Sequence, residues 1–198
     1  MVNSAGCQAI AINFLHSYAN TKHEEIAVNL LKENYPELAI SAGGLLANEY
    51  REYERTSTTV LDSYIKPVLK NYLQHLKLGM QEKGFDGKYY VMNSAGGALT
   101  FEMAAAKPIS TIFSGPAGGV SGALDLAKIM KKKSLLSIDV GGTSLDANLI
   151  LDFEPVDVFE AYVDHFPVLQ PIFDLRTLGA GGGSIAKIDN KLFIGLHF

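Results

Sequence analysis

One stretch of this sequence, residues 135–151, constrains the fold more than any other, because it predicts two strands joined by a tight turn. Residues 135–140 are mostly apolar, as in a buried strand, and residues 149–151 form a second apolar run. Between them stand Gly141 and Gly142, which can adopt the positive φ angles of a tight turn without steric cost. We therefore expect a strand–turn–strand unit here.

Acidic and hydroxyl side chains surround that turn. Asp139 precedes the two glycines, Asp146 follows them, and Thr143 and Ser144 complete the tip. Backbone N–H groups can reach phosphate oxygens where no side chain intervenes, and a carboxylate can hold Mg²⁺ or its waters. The pattern therefore favours a phosphate–magnesium site. An ordinary hairpin with solvent-facing aspartates explains the same residues equally well, so this stretch alone leaves both interpretations open.

The composition excludes several classes of protein. Hydrophobic residues make up 47% of the 198 positions and charged residues 19%, which is typical of a globular chain. A net charge of −4 provides no basic surface for nucleic acid. No apolar run approaches the roughly 20 residues of a membrane span, and the single cysteine, Cys7, excludes an internal disulfide. We expect a soluble cytoplasmic protein with no nucleic-acid or membrane partner, and a buried structural thiol at Cys7.

A glycine-rich loop follows a predicted strand at residues 88–92. Its residues are Asn93, Ser94, Ala95, Gly96 and Gly97. Open α/β sheets bind ligands in loops that directly follow strands, and the side chains of Asn93 and Ser94 could hydrogen-bond such a ligand. A simple connecting turn is an equally good interpretation.

A second glycine-rich segment, residues 179–183, has four glycines in five positions. So many glycines are costly in chain entropy unless the backbone must bend sharply or touch a ligand. The segment is not a Walker A loop, because no Gly-Lys-Ser or Gly-Lys-Thr follows, and it lacks the G-x-G-x-x-G pattern of dinucleotide loops. Together with the other two glycine-rich turns, it points to one phosphate-handling cleft at the ends of strands.

The first half of the chain predicts short strands and a helix. Strands at residues 8–15 and 38–41 flank a helix whose apolar face would consist of Ile26, Leu30 and Leu31. The pair of glycines that follows, at positions 43 and 44, predicts a turn.

Two further segments predict helices. Residues 49–55 read as the start of a helix in which Arg51 and Arg55 pair with nearby glutamates, although Arg55 could instead face a substrate or a partner lobe. The helix predicted at residues 114–127 contains an unusual number of small residues. Because each glycine inside a helix costs about 1 kcal/mol relative to alanine, we expect this helix to approach another backbone or a nucleotide closely.

Four passages together resemble the hydantoinase A and oxoprolinase family, which includes the acetone carboxylase β subunits. They are residues 51–60, 114–120, 139–146 and 179–186. Their order and spacing match the family, and the resemblance extends from about Ala9 to Gly195. The four passages jointly are much more specific than any one of them.

The resemblance implies an α/β fold of the actin-like ATPase type, with lobes like ribonuclease H, here incomplete, and a mixed sheet flanked by helices. Residues 1–113 would form part of the first lobe with a helical insertion. Residues 114–133 would be the helix that connects the lobes, and residues 134–198 would begin the second lobe with its phosphate hairpin.

The resemblance also implies a site for ATP and Mg²⁺. Asp139 and Asp146 would be the catalytic residues and metal ligands. The residues that would contact the nucleotide are Gly141, Gly142, Thr143, Ser144, Gly181, Gly182, Gly183 and Ser184. The residues expected to contact the substrate are Asn93, Ser94, Gly96, Gly97 and Arg55.

Members of the family couple ATP cleavage to the opening of cyclic amides such as hydantoin or oxoproline, or to the carboxylation of ketones. The family pattern includes an earlier Asp-x-Gly-Gly-Thr hairpin, and nothing before Asp139 matches it. We therefore expect an internal fragment that turns over no ATP alone, with a second hydantoinase-type subunit or the missing lobe segments as partner and a cyclic amide as substrate. The alternatives are a non-catalytic fragment or subunit that retains the fold, and a subunit of a ketone carboxylase.

Overall fold

The structure is a computed structural model that describes the backbone of residues 6–189 and 191–196 and the side chains of residues 6–185. Helices and strands alternate in the first half, and strands dominate the second half. The helices are α1 Lys22–Asn34, α2 Gly43–Leu46, α3 Glu52–Glu82, α4 Phe101–Ala106 and α5 Ser114–Met130, with a 3-10 helix at Pro108–Thr111. The strands are β1 Ala9–Ile12, β2 Ala39–Ala42, β3 Tyr90–Met92, β4 Ala98–Thr100, β5 Leu135–Val140, β6 Leu145–Leu151, β7 Glu154–Pro155, β8 Asp157–Val163, β9 Phe166–Phe173, β10 Arg176–Leu178, β11 Ser184–Asp189 and β12 Lys191–Leu196.

The first unit of the fold is the parallel pair β1 and β2, which α1 connects. Both predicted strands are therefore present, although β1 is shorter than expected and β2 is shifted by one residue. The predicted apolar face of α1 was wrong in part, since Ile26 and Leu30 are 56% and 55% exposed. Val28 is buried against the two strands, where it packs with Ile12 and Ala42, and Leu31 packs against this cluster. Hydrophobicity did not predict the buried face, because this face also carries a charged residue, Glu24, which has no exposed surface.

Glu24 is buried because it joins the two loops that follow β1 and β2. Its carboxylate accepts hydrogen bonds from the backbone N–H groups of Phe14, at 2.8 Å, and Gly44, at 2.7 Å. The predicted turn at Gly43 was wrong, because this residue begins α2 instead. A side chain at Gly43 would collide with that of Asn13, so the close approach of the two loops explains the glycine.

The long helix α3 organises the first half of the chain by packing against β1, β2 and β9. It begins at Glu52, as predicted, and continues through Pro67 to Glu82. Gly84 ends it with a φ of +82°, and the N–H of Phe85 donates to the carbonyl of Met80 at 3.0 Å. This is the left-handed termination expected of a glycine directly after a helix.

A three-stranded antiparallel array in the order β10, β6, β5, with β7 beside β6, forms the second unit. Helix α5 covers one face of it, and the core between them consists of Ala117, Val120, Ile150 and Phe173. The other face is open among the described residues. Its half-exposed apolar side chains are Leu136, Ile138, Val140, Leu149 and Leu151.

The small residues of α5 pack less closely against other backbone segments than we expected. A side chain at Gly115 or Gly122 would meet nothing within 4 Å, so neither approaches another backbone within the described part of the chain. Gly118 faces Met92, and Gly119 faces the carboxylate of Asp139, each at 3.9 Å from where a Cβ would lie. The small residues therefore leave room beside the helix.

An ion pair at the surface links α3 to β8. Arg51, at the start of α3, donates to Glu160 of β8 at 2.5 Å, and this hydrogen bond holds the pKa of Glu160 below its ordinary value. Cys7 is exposed, which corrects the expectation of a buried thiol. Among the residues that the structure describes, no helix is long and apolar enough to cross a membrane.

Candidate functional site

The candidate site begins with the hairpin of β5 and β6, which the sequence predicted. Asp139 and Asp146 occupy directly opposite positions in its register. The loop between the strands closes with a hydrogen bond of 2.9 Å from the N–H of Gly141 to the carbonyl of Ser144. The two carboxylates therefore flank the glycine turn on adjacent strands.

One face of the hairpin is polar towards its tip and apolar towards its base. Asp139 and Asp146 share that face with Ser137 and Asn148, the next opposite pair, because side chains alternate along a strand. The pair beyond them, Leu135 and Ile150, belongs to the core beneath α5. The position of the acid pair is thus set by the alternation that buries the core.

A narrow cleft separates this polar face from helix α5. Its lining residues are Pro116, Gly119, Val120, Ser137, Asp139, Asp146, Asn148 and Leu175. Its free volume is about 10 Å³, which is the space that one water molecule or one small ion needs. The cleft is therefore too small to enclose a nucleotide.

Strand β10 adds a residue that sequence reasoning missed. Thr177 lies opposite Asp146 in the antiparallel register, and its hydroxyl donates to Oδ1 of Asp146 at 2.5 Å. The hydrogen bond fixes the orientation of that carboxylate. Only the position of Thr177, two residues before the 179–183 segment, could have drawn attention to it, since its register with β6 is invisible in the sequence.

The second glycine-rich segment docks on the hairpin tip. The N–H of Gly182 donates to the carbonyl of Gly141 at 2.9 Å, and the N–H of Gly183 is 3.4 Å from the carbonyl of Gly142. A Cβ on Gly181 would lie 2.5 Å from the carbonyl carbon of Gly142, so glycine is required there. The structure thus brings two of the three predicted glycine-rich turns together.

This docking divides the predicted nucleotide contacts into two groups. The N–H groups of Gly181 and Ser184 are engaged within their own loop, with Ser184 Oγ and the carbonyl of Gly181 as acceptors at 3.0 and 2.9 Å. Those of Gly141, Gly182 and Gly183 are directed at other loop carbonyls. The N–H groups of Gly142, Thr143 and Ser144 have no acceptor within the described chain. Most of the glycines therefore shape the tip, and three amides remain for a ligand.

Asn148 is a second residue that the sequence analysis missed. It is 2% exposed, and its side-chain nitrogen donates to the carbonyls of Val156, at 3.1 Å, and Asp174, at 3.0 Å. Its side-chain oxygen, Oδ1, has no hydrogen-bond partner among the described residues. A buried oxygen without a partner is unusual, and this one belongs to a residue that lines the cleft.

The donor set of the cleft fits a hard cation. Neither Asp139 nor Asp146 forms an ion pair within the described residues, so their charges are not neutralised by the chain itself. Carboxylate, hydroxyl and amide oxygens are the ligands that Mg²⁺ and Ca²⁺ take. No group of three or more His, Cys, Asp or Glu side chains that could hold a metal occurs in the described chain. Any cation here would therefore also need neutral oxygens.

The loop at residues 93–97 joins β3 to β4 as a hairpin turn. Ser94 has no exposed surface, because its hydroxyl accepts from the N–H of Phe113 at 3.0 Å and its carbonyl accepts from Phe173. Gly96 has a φ of +82° and packs so closely on the Phe173 ring that a Cβ would lie 2.7 Å from it. The turn interpretation accounts for both residues, and Asn93 and Gly97 remain partly exposed.

Arg55 lies inside the protein and not in a cleft. Its side chain has no exposed surface, and it donates to Oδ1 of Asn13 at 2.9 Å, to the carbonyl of Phe14 at 3.0 Å and to the carbonyl of Glu49. These contacts join α3 to the loop after β1. They correct the expectation that Arg55 meets a substrate, because no part of its guanidinium is accessible.

Comparison with known proteins relates the whole chain to one family. The model of the hydantoinase/oxoprolinase family matches residues 55–195. The chain is 36% identical over 202 residues to an uncharacterised protein of Methanocaldococcus jannaschii, a match that covers 95% of this chain and 30% of that protein. It is 32% identical over 187 residues to caprolactamase subunit alpha of Pseudomonas jessenii, with 92% of this chain and 26% of that subunit covered.

Two solved structures are also similar. The crystal structure of the ATP-dependent caprolactamase from Pseudomonas jessenii matches with a TM-score of 0.86 and 29% identity, over 98% of this chain and 28% of that chain. The nucleotide-free structure of acetone carboxylase matches with a TM-score of 0.75 and 27% identity, again over 98% and 28%. The chain thus spans less than a third of these relatives.

These similarities confirm the predicted α/β class, and they are consistent with a partial actin-like fold. The relatives include an ATP-dependent caprolactamase and an acetone carboxylase, and several are named as subunits. The resemblance seen in the sequence is confirmed. The chain belongs to the hydantoinase/oxoprolinase family.

Proposed function

We propose that this chain supplies one phosphate-binding half of the ATP site in an enzyme that uses ATP to open a cyclic amide. One observation carries the proposal. The hairpin tip and the 181–184 loop are hydrogen-bonded together through Gly141 and Gly182, directly beside the facing pair Asp139 and Asp146. Glycine turns with free N–H groups and carboxylates that hold a cation are the two parts that bind transferable phosphates.

Each residue of the tip then has a role. Gly142 and Thr143 present backbone N–H groups to phosphate oxygens, with the hydroxyls of Thr143 and Ser144 beside them. The loop of residues 181–184 keeps the tip in its bent shape through the hydrogen bonds to Gly141 and Gly142. Because these donors are fixed before a ligand arrives, they stabilise charge on a phosphoryl group without reorganising.

Asp139 and Asp146 are the residues that would hold Mg²⁺, which neutralises charge on phosphate oxygens when it is bound. Thr177 orients Asp146 by its hydrogen bond. The N-terminal half of α5 borders the same cleft through Pro116 and Gly119. Since the N-terminal end of a helix is electropositive, this placement also favours phosphate nearby.

The similarity to the caprolactamase supports the proposed substrate class. The similarity to the caprolactamase is the stronger of the two structural matches, and its substrate is a cyclic amide. Asn93, Gly96 and Gly97 are the predicted substrate contacts that keep exposed surface. Because the matched relatives are more than three times longer, most of the substrate site belongs to other segments or to a second subunit.

The domain division is also part of the proposal. Helix α5 packs against β3 of the first half and against β5 and β6 of the second, as a helix that connects two lobes would. Residues 1–113 then belong to the first lobe, residues 114–133 to the connection, and residues 134–198 to the second lobe. A cytoplasmic location remains a prediction from the single cysteine.

A second candidate function is that of a ketone carboxylase subunit, which the similarity to acetone carboxylase favours. Both candidates use the same phosphate site, because both relatives are described as ATP-dependent. They differ in the reaction that ATP drives, which is the opening of a cyclic amide in one and the carboxylation of a ketone in the other. A non-catalytic fragment or subunit that keeps the fold is the third possibility, and a lack of ATP binding by the wild type would favour it.

The test is calorimetry of ATP binding in excess Mg²⁺ with the wild type, Asp139→Asn and Asp157→Asn. Asp157 is the control because it is an exposed acid at the start of β8, outside the cleft. We expect Asp139→Asn to weaken binding by about tenfold or more, since hydrogen bonds and contacts to charged groups contribute about 1.5–3 kcal/mol. Asp157→Asn should bind like the wild type. Equal binding by all three proteins, or none by the wild type at millimolar ATP, would overturn the proposal.

A further inference from the structure

We propose that the buried oxygen of Asn148 is a cation ligand, so that the cleft beside α5 holds one cation between Asn148 and the acid pair. This inference rests on the proposed function and adds a residue to its metal site. The starting observation is that Asn148 is 2% exposed and that its Oδ1 has no partner among the described residues. A polar atom kept from both water and a partner costs free energy unless a ligand satisfies it.

The orientation of the Asn148 amide follows from its neighbours. Its nitrogen lies 3.1 Å from the carbonyl of Val156 and 3.0 Å from that of Asp174. Carbonyl oxygens only accept hydrogen bonds, so the nitrogen must face both of them and the oxygen must face away. Asn148 also lines the cleft, and its nitrogen is already engaged with the two carbonyls. Its oxygen is therefore the atom that is available to a ligand in the cleft.

The balance of donors and acceptors favours a cation over a water molecule. Around the cleft, Asp139 and Asn148 offer oxygens without partners in the described chain, and Asp146 keeps one oxygen beyond the one bound by Thr177. Ser137 is the one hydroxyl donor among the described lining residues. A water molecule has two hydrogens to donate, whereas a cation satisfies all of these oxygens together.

The size of the cleft agrees with a single occupant. Its volume of about 10 Å³ accommodates one small ion and excludes a phosphate group. The ion would therefore sit below the hairpin tip, in contact with the side chains of the β5–β6 pair, while phosphate oxygens approach from above. The same arrangement explains why an amide, and not an apolar residue, is buried at position 148.

A purely structural role for Asn148 is the competing interpretation, and Gln170 provides the matched control. Gln170 is also a buried amide, 3% exposed, and its nitrogen donates to the carbonyl of Leu46 at 3.0 Å. It does not line the cleft. Replacing either residue by alanine removes a buried amide that donates to backbone, but only Asn148→Ala removes an oxygen from the cleft.

The experiment titrates the full 198-residue chain with Mn²⁺ alone, with free Mn²⁺ measured by electron paramagnetic resonance. The proteins are the wild type, Asn148→Ala, Gln170→Ala and Asp139→Asn, each checked for folding by thermal unfolding. We expect Asn148→Ala to weaken Mn²⁺ binding about tenfold and Gln170→Ala to change it less than twofold. Equal binding by wild type and Asn148→Ala, with Asp139→Asn weakened, overturns this inference alone. Unchanged binding in Asp139→Asn overturns the proposed metal site as well.

A second measurement needs no substitution at position 148. Substoichiometric Mn²⁺ should broaden the side-chain NH₂ resonances of Asn148 in the wild type, because paramagnetic relaxation falls steeply with distance from the ion. The NH₂ resonances of Gln170 should stay sharp. Equal broadening of the two amides, or none at Asn148 when Mn²⁺ is bound, contradicts the inference.

Discussion

Arg55 illustrates how a charged residue can be wholly structural. Its guanidinium donates to Asn13, Phe14 and Glu49 and lies 5.7 Å from the centre of the Tyr18 ring. Two of these acceptors are backbone carbonyls in loops that α3 must hold in place. The planar guanidinium presents its donors in a fixed and widely spread geometry, which the compact ammonium group of a lysine does not.

We therefore predict that Arg55→Met destabilises the chain by about 3 kcal/mol or more, because each buried acceptor left without a donor costs about 1–3 kcal/mol. Arg55→Lys should recover only a small part of this loss. Urea unfolding followed by circular dichroism measures both. The control is Arg51→Met, in which the lost side chain is 37% exposed and the effect should be much smaller. A similar loss in both methionine variants would contradict the structural role of Arg55.

At this scale the sequence predicted those candidate residues that belong to a local pattern. Asp139 and Asp146 stand on either side of a glycine pair, and that spacing is visible in the chain. Thr177 and Asn148 were missed, because their importance depends on a register between β10 and β6 and on two carbonyls from other loops. Pairings between distant strands cannot be read from residue types alone.

Among the elements, the hairpin and the 181–184 loop form one unit. Gly181 packs against the peptide that joins Gly142 to Thr143, and Gly182 donates to Gly141. The loop therefore determines the shape of the tip. The sequence predicted that both segments were special but not that one braces the other, since glycines indicate close approach without naming the partner.

Gly181→Ala should separate the two loops. Its Cβ would lie 2.5 Å from backbone atoms of Gly142 and Thr143, so the 181–184 loop, which braces the hairpin tip, must shift. We expect a loss of about 1–3 kcal/mol in the free energy of unfolding, as for other overpacked sites, together with weaker Mg²⁺–ATP binding. Gly179→Ala is the control, because its Cβ would meet nothing within 4 Å. Urea unfolding and calorimetry of both variants provide the check, and equal behaviour of the two would show that the brace is not rigid.

Helix α1 shows why an element can be predicted while its buried face is not. Ile26 and Leu30 lie one turn apart, as do Glu24 and Val28, and both pairs satisfy helical spacing. Hydrophobicity favoured the first pair. The structure buries the second, because the carboxylate of Glu24 satisfies two backbone N–H groups at the ends of β1 and β2.

On the scale of the whole molecule, the sheet of β5, β6 and β10 is covered on one side only. Helix α5 buries Ile150 completely, whereas Ile138 on the opposite face is 53% exposed. Exposed apolar faces of this kind mark interaction surfaces. Since the chain spans 28% of the matched caprolactamase chain, we expect segments that correspond to other parts of that protein to cover this face.

Serine substitutions on the two faces should therefore behave differently. Ile150→Ser should cost about 3 kcal/mol or more, through a cavity and a buried hydroxyl. Ile138→Ser should change the free energy of unfolding by less than about 1 kcal/mol and reduce self-association of the chain. Urea unfolding and light scattering measure the two effects. If Ile138→Ser were as destabilising as Ile150→Ser, the face would already be covered.

The brace at Gly181 also sets an order of events during synthesis. Gly142 and Gly181 are about 40 positions apart in the chain. Ribosomes add about 5–20 residues per second, so the hairpin tip exists for roughly 2–8 seconds before its brace has been made. The glycine turn of the hairpin can therefore reach its final shape only after Gly181 has been made, and a nascent chain arrested shortly before Gly181 should contain the acid pair without the final shape of the turn.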